Sequence, residues 1–253
     1  MSRFAGKKVV ITGGTHGMGL DFAKALIAEG AEVLVTGRNE KNIEAARDEL
    51  KENAHIVRSD AGSVSDIEAL AKIVAEKFGK IDHVFLNAGL AILETIDKFT
   101  EDTFDRQYAV NTKGVFFAVK HLAPLIQSGG SITITTSVAN TAGAPGMGVY
   151  GGAKAAVRAF VRVAASELVA QGVRVNAVSP GFIHTPSMGI PEATPEERAQ
   201  FQALGDILTP MKRHGSMEEV TKAALFLAAD ATFTSGLEFT VDGGGSQGVL
   251  TPQ

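Results

Sequence analysis

The sequence has no cysteine in its 253 residues, which excludes disulfides and thiolate metal ligands. It has no basic run and no interleaving of basic with aromatic residues, and its net charge is −4. That balance argues against nucleic acid as the main partner. No apolar stretch approaches the roughly 18–20 residues of a membrane span. The early Val9-Val10-Ile11 run is too short for the core of a signal peptide. With thiols also missing, these absences suit a cytoplasmic protein that spans no membrane. The histidines (His16, His55, His83, His121, His184, His214) are scattered, with no H-E-x-x-H, so no metal site is expected. Ser137 stands in no G-x-S-x-G elbow, which weighs against hydrolase chemistry.

What is present is the balance of an ordinary globular chain, 45% hydrophobic and 21% charged. Short apolar runs alternate with longer amphipathic stretches. Strands are expected at 9–12, 33–36, 55–57, 84–86, 132–135, 173–178 and 238–241. Helices are expected over 20–29, 40–51, 65–78, 104–125 and 150–170. Apolar strands separated by helices imply a parallel sheet covered on both faces. The expected fold is therefore α/β, a single-domain Rossmann-type doubly wound parallel sheet of about seven strands, spanning 1–253. The least regular stretch, 185–210, holds Pro186, Pro191, Pro195 and Pro210 and reads as a substrate lid, since long loops in compact domains usually serve function.

The first strand runs into Thr12-Gly13-Gly14-Thr15-His16-Gly17-Met18-Gly19. Gly13 suits a tight turn, Gly17 a close approach to phosphate, and Gly19 close packing of helix on sheet. The helix start then offers free N–H groups and the positive end of its dipole to a pyrophosphate. A glycine-rich turn without a ligand has the same composition, and the spacing is neither G-x-G-x-x-G nor a P-loop. At the end of the second strand comes Thr36-Gly37-Arg38-Asn39. No acid is there to grip a ribose 2′-hydroxyl, and Arg38 matches a 2′-phosphate, so NADP(H) is favoured over NAD(H). A solvated surface arginine is the alternative reading.

Tyr150-Gly151-Gly152-Ala153-Lys154 places a phenol and an ammonium one helical turn apart. A nearby cation lowers a tyrosine pKa, and a tyrosine so tuned can exchange a proton with a carbonyl oxygen. Ser137, at the end of the fifth strand, can hold the same oxygen, although Thr135 and Thr136 beside it are of similar type. Asn111 lies inside a helical pattern that disfavours asparagine; a polar site or a satisfied core amide would each explain it.

Taken in order, Thr12–Gly19, Asn87-Ala88-Gly89, Asn111, Ser137, Tyr150-x-x-x-Lys154, Pro180-Gly181 and Val241-Asp242-Gly243-Gly244 resemble the classical short-chain dehydrogenases/reductases along nearly the whole chain. The resemblance implies roles. Tyr150 would be the general acid/base, and Lys154 would tune it and bind the nicotinamide ribose. Ser137 would hold the substrate oxygen, and Asn111 would position a water. It places Gly13, Thr15, His16, Gly17, Met18, Gly19, Arg38, Asn39, Asp60, Ala61, Asn87, Ala88 and Gly89 at the cofactor, with Asp60 meeting the adenine. Pro180, Gly181, Ile183 and Thr185 would lie against the nicotinamide. It also implies a homotetramer or homodimer joined through the helices near 104–125 and 150–170, with Val249–Gln253 a candidate for contact with a neighbouring subunit. The Gly151-Gly152 pair departs from the family, where Ser or Ala is more usual.

The expected activity is reversible reduction of a ketone by NADPH, with an apolar ketone slightly preferred. A 3-oxoacyl thioester is an alternative substrate. A non-catalytic nucleotide-binding regulator would need Gly13 and Arg38 but not Tyr150, Lys154, Ser137 and Asn111 together. A related epimerase or dehydratase would normally be longer.

Overall fold

The structure is a computed structural model that describes residues 2–249. Seven strands form one sheet: β1 (Lys8–Thr12), β2 (Glu32–Gly37), β3 (Ala54–Arg58), β4 (Ile81–Leu86), β5 (Ile126–Thr135), β6 (Arg174–Pro180) and β7 (Glu238–Val241). Their order is β3-β2-β1-β4-β5-β6-β7, and every neighbouring pair is parallel. The order reverses between β1 and β4, so the crevice beyond their C-terminal ends is the natural ligand site of such a sheet.

The helices are α1 (Gly17–Ala28), α2 (Glu40–Leu50), α3 (Val64–Phe78), α4 (Glu101–Tyr108), α5 (Gly114–Leu122), α6 (Gly148–Leu168), α7 (Pro195–Leu208) and α8 (Met217–Leu225). One face of the sheet is covered by α3, α5 and α6, through Leu70, Val74, Leu122, Val157 and Val161 packed on Val10, Val84, Ile132 and Val175. The other is covered by α1 and α8, through Phe22, Leu26, Val220 and Leu225 packed on Val9, Ile11, Val33 and Phe85. All six residues of β4 are buried. Each fully buried large apolar side chain contributes about 1.5–3 kcal/mol, so the central strands anchor the crevice rigidly.

Two expectations are corrected. The helix expected over 104–125 is two helices, α4 and α5, joined by a π-helical turn at Ala109–Lys113. The stretch 185–210 is not irregular throughout, because it contains α7. The start of α7 is specified locally: Thr194 accepts from the Glu197 N–H, Glu197 caps the Thr194 N–H in return, and Pro195 sits in the first turn. The same box, Ser216 with Glu219, starts α8. The segment after Val249, including the expected contact tail, lies outside the described residues.

Candidate active site

The turn between β1 and α1 is built by backbone demands. Gly13 and Gly17 have φ of 66° and 55°, which non-glycine residues rarely adopt. A Cβ on Gly19 would stand 2.2 Å from the Gly13 carbonyl oxygen, whereas one on Gly17 would meet nothing within 4 Å. His16 is the N-cap of α1 in extended conformation, yet its exposed side chain makes no cap. Among the described residues the first N–H groups of α1 thus have no side-chain partner, and the space above Gly17 is open. These residues fit a dinucleotide pyrophosphate, which needs both features. Thr15 is buried against Gly37, and Met18 packs into the core.

Arg38 is exposed and pairs with Asp60, its Nη1 lying 3.0 Å from Oδ2. Asp60 Oδ1 also accepts the Gly62 N–H at 2.8 Å. Asn39 caps α2 by accepting from the Asn42 N–H. The Ala61 carbonyl presses on α5 where Gly114 leaves room. Asn87 donates through Nδ2 to the Gly13 carbonyl at 3.3 Å and accepts from Thr135 Oγ1 at 3.2 Å. Thr12 Oγ1 accepts from the Asn87 and Ala88 N–H groups. Pro180 ends β6 opposite Val241, and the Gly181 N–H bonds the Val241 carbonyl. Ile183 is buried and bridges to Gly215, while the Thr185 carbonyl accepts from the Met188 N–H in a turn.

Ser137 begins a short turn over Val138–Asn140 and accepts from the Ala139 N–H. That turn lies against the first turn of α6, where a Cβ on Gly151 would stand 2.6 Å from the Ala139 carbonyl oxygen. The unusual glycine after Tyr150 therefore lets the Ser137 turn and α6 touch. The Ser137 hydroxyl stands close enough to the Tyr150 phenol to pull its pKa down. Lys154 is 2% exposed and donates to the Thr135 carbonyl at 2.8 Å. Its Nζ lies 5.8 Å from the centre of the Tyr150 ring. Asn111 is fully buried in the π-helical turn, a geometry that recurs at functional sites. It holds the Leu90 backbone by both amide atoms, at 3.0 and 2.6 Å. Asn111 and Lys154 meet at Gly89, where a Cβ would stand 3.3 Å from Oδ1 and 3.7 Å from Nζ.

The electrostatics differ from expectation in one respect. Burial raises the Tyr150 pKa, and the opposing influence is the nearby Ser137 hydroxyl. Burial likewise depresses the Lys154 pKa to about 8, and its ammonium is directed at the Thr135 carbonyl.

Sequence reasoning missed Glu238. Its Oε1 accepts from Thr136 Oγ1 and Asn140 Nδ2, each at 2.6 Å. Its Oε2 lies 2.7 Å from Arg158 Nε, in a charge contact whose N–H is not aimed along the line to oxygen. The partners are 102 and 98 residues away from it in sequence, so no local pattern reveals the cluster.

Residues 13–246 match a family model described as enoyl-(acyl carrier protein) reductase. An oxidoreductase, asL5, of Sarocladium schorii is 37% identical, covering 98% of each chain. An NADP-dependent (R)-specific alcohol dehydrogenase of Lentilactobacillus kefiri is 32% identical over 96% of this chain and 97% of its own. The crystal structure of levodione reductase superposes with a TM-score of 0.86 at 28% identity, over 97% of this chain and all of that one. The chain belongs to the short-chain dehydrogenase/reductase family and is an oxidoreductase.

Proposed function

We propose that the protein is an NADP(H)-dependent carbonyl reductase and alcohol dehydrogenase. The carrying observation is the contact of Ser137 with Tyr150 at the sheet's C-terminal edge, with Lys154 buried behind it. A bound nicotinamide supplies or accepts hydride at the substrate carbon. The Ser137 and Tyr150 hydroxyls hold the substrate oxygen and donate to it as negative charge develops. Tyr150 gives its proton to that oxygen in reduction and takes it back in oxidation. Lys154 and Asn111, meeting at Gly89, fix the floor of the site.

The uncapped start of α1, with Gly13, Gly17 and Gly19, would hold the pyrophosphate. Asn87 and Ala88 would line the nucleotide, and Gly181, Ile183 and Thr185 would face the nicotinamide end. NADP is preferred in this reading because Arg38 follows β2 where no acid stands. The substrate is an apolar ketone of small or medium size, bounded by the segment from 185 to α7. That segment is tied to α4 by the ion pair of Glu192 with Arg106. Among the described residues no helix is long and apolar enough to cross a membrane, and the compartment we propose is the cytoplasm, a setting that suits a sequence without cysteine. The working form would be a homodimer or homotetramer through α5 and α6.

The test is consumption of NADPH against a panel of ketones, with NADH in parallel, for the wild type and Tyr150→Phe. Activity should fall by about 10²-fold or more in the variant, with NADPH binding retained. Ketone reduction undiminished in Tyr150→Phe would remove the mechanism.

A further inference from the structure

We infer that Glu238 is a positioning residue for catalysis: its carboxylate clamps the Ser137 turn to the helix that carries Tyr150 and Lys154. This deepens the proposed function and rests on it. Thr136 and Asn140 flank the turn on which Ser137 sits, and both donate to the same oxygen, Glu238 Oε1, at 2.6 Å. The second oxygen contacts Arg158 on α6. Arg158 follows Lys154 by four residues and Tyr150 by eight, so the three share one side of the helix. Glu238 itself is anchored as the first residue of β7, in register with Ala177 of β6, and its side chain is only 12% exposed.

One carboxylate therefore joins three elements that the backbone does not join directly: the β5 end, α6 and the edge strand. Ser137 reaches Tyr150 only if the turn and the helix keep their separation, which at Gly151 rests on close backbone packing against the Ala139 carbonyl. Thr136 is held to the Val178 carbonyl by its N–H at 2.9 Å and by its hydroxyl at 3.2 Å, which sets the strand end but not the turn beyond it. The two short bonds to Oε1 supply that constraint. Hydrogen bonds to an ionised acceptor are stronger and more directional than neutral ones, and catalytic geometry tolerates little displacement. A purely structural role, holding the edge strand, would not require two donors from either side of Ser137 to converge on one oxygen.

The experiment compares Glu238→Ala, Glu238→Gln, Asn140→Ala and Tyr150→Phe with the wild type. It uses NADPH and the ketone turned over fastest in the panel, with the corresponding alcohol for oxidation. Expected for Glu238→Ala is a kcat lower by roughly tenfold to a hundredfold, with the Kd for NADPH unchanged. The alkaline midpoint of alcohol oxidation should move upward, because Tyr150 loses the nearby Ser137 hydroxyl that holds its pKa down. Glu238→Gln should restore most of kcat, since its amide oxygen still accepts from Thr136 and Asn140. Asn140→Ala, at a half-buried position, should shift both readouts in the same direction by less.

The chain has two tyrosines and no tryptophan. In a Tyr108→Phe background, near-ultraviolet phenolate absorbance therefore titrates Tyr150 alone and needs no substrate. Its midpoint should rise on Glu238→Ala. Unmoved kcat and midpoints would overturn the inference, as would a kcat loss matched by loss of folded protein, or Glu238→Gln no better than Glu238→Ala. If Glu238→Ala does not fold, Asn140→Ala and Glu238→Gln decide on the same criteria. Full activity in Tyr150→Phe would instead remove the proposed function, and the phenolate titration would still report whether Glu238 governs the Ser137–Tyr150 contact.

Discussion

Lys154 keeps an ammonium almost wholly out of water with one carbonyl as its partner. Its pKa falls from the ordinary 10.5 to about 8, so the folded state resists the proton that the unfolded chain accepts. Between about pH 8 and 10.5 the unfolded chain binds the extra proton, and stability rises with pH across that window. Below it the penalty is full, about 3 kcal/mol at pH 7 from a shift of this size. Replacing Lys154 with Met removes the penalty but orphans the Thr135 carbonyl, which costs about 1 kcal/mol or more. Lys154→Met should therefore unfold at higher temperature than the wild type at pH 7 and lose that advantage by pH 10. Thermal unfolding at both pH values checks this, and no gain at pH 7 would show that the burial penalty is absent. A second residue-level expectation concerns Arg38. Its Ala variant should lower kcat/KM with NADPH by about tenfold or more while leaving NADH nearly unaffected, the loss of one charge-assisted phosphate contact. A wild type that prefers NADH would remove the basis for NADP, and Asp60, already paired with Arg38, is the group that competes for it.

The turn from β1 into α1 separates folding from ligand binding. Gly19 faces the Gly13 carbonyl and tolerates no Cβ, whereas Gly17 faces open space and is strained only through its φ of 55°. Gly17→Ala should cost the fold about 1 kcal/mol and weaken NADPH binding at least tenfold, since the added methyl occupies the approach to the free N–H groups. Gly19→Ala should fail in stability as well. Urea unfolding and fluorescence titration of NADPH distinguish the two, and normal NADPH affinity in Gly17→Ala would place the pyrophosphate elsewhere. Such elements were legible because their causes are local. Short apolar runs located all seven strands, and glycine spacing located the tight turn between β1 and α1. Where long-range contacts or mixed composition decide, the sequence misleads. Four prolines masked α7, although Thr194, Pro195 and Glu197 state its start, and Ser216 with Glu219 states that of α8. The π-helical turn at Asn111 is invisible to a period of 3.6. At the site, the Tyr150–Lys154 spacing was readable, but the direction of the Lys154 ammonium and the Glu238 clamp depend on residues brought together only by folding.

At the scale of the molecule, the proposed site lies at one end of the sheet, and an apolar groove lies on one helical face. Between α5 and α6 lies a groove of about 460 Å³ whose lining includes Phe116, Phe160, Pro124 and Leu168. Phe116 and Phe160 stack at 3.8 Å between ring centres, and Phe116 is 37% exposed. Aromatic pairs of this kind usually finish against another surface. Because α6 also carries Tyr150 and Lys154, association along this face would brace the catalytic helix from behind without closing the substrate crevice. A second copy of the chain is the expected occupant. The wild type should then sediment as a dimer or tetramer, with a melting temperature that rises with protein concentration. Phe116→Glu would bury a charge against a like surface, so it should shift the protein to a smaller species and lower kcat more than the affinity for NADPH. A wild type that is monomeric at micromolar concentration, or a Phe116→Glu variant that sediments unchanged, would mean that the face serves another purpose and that α6 is held by its own domain alone.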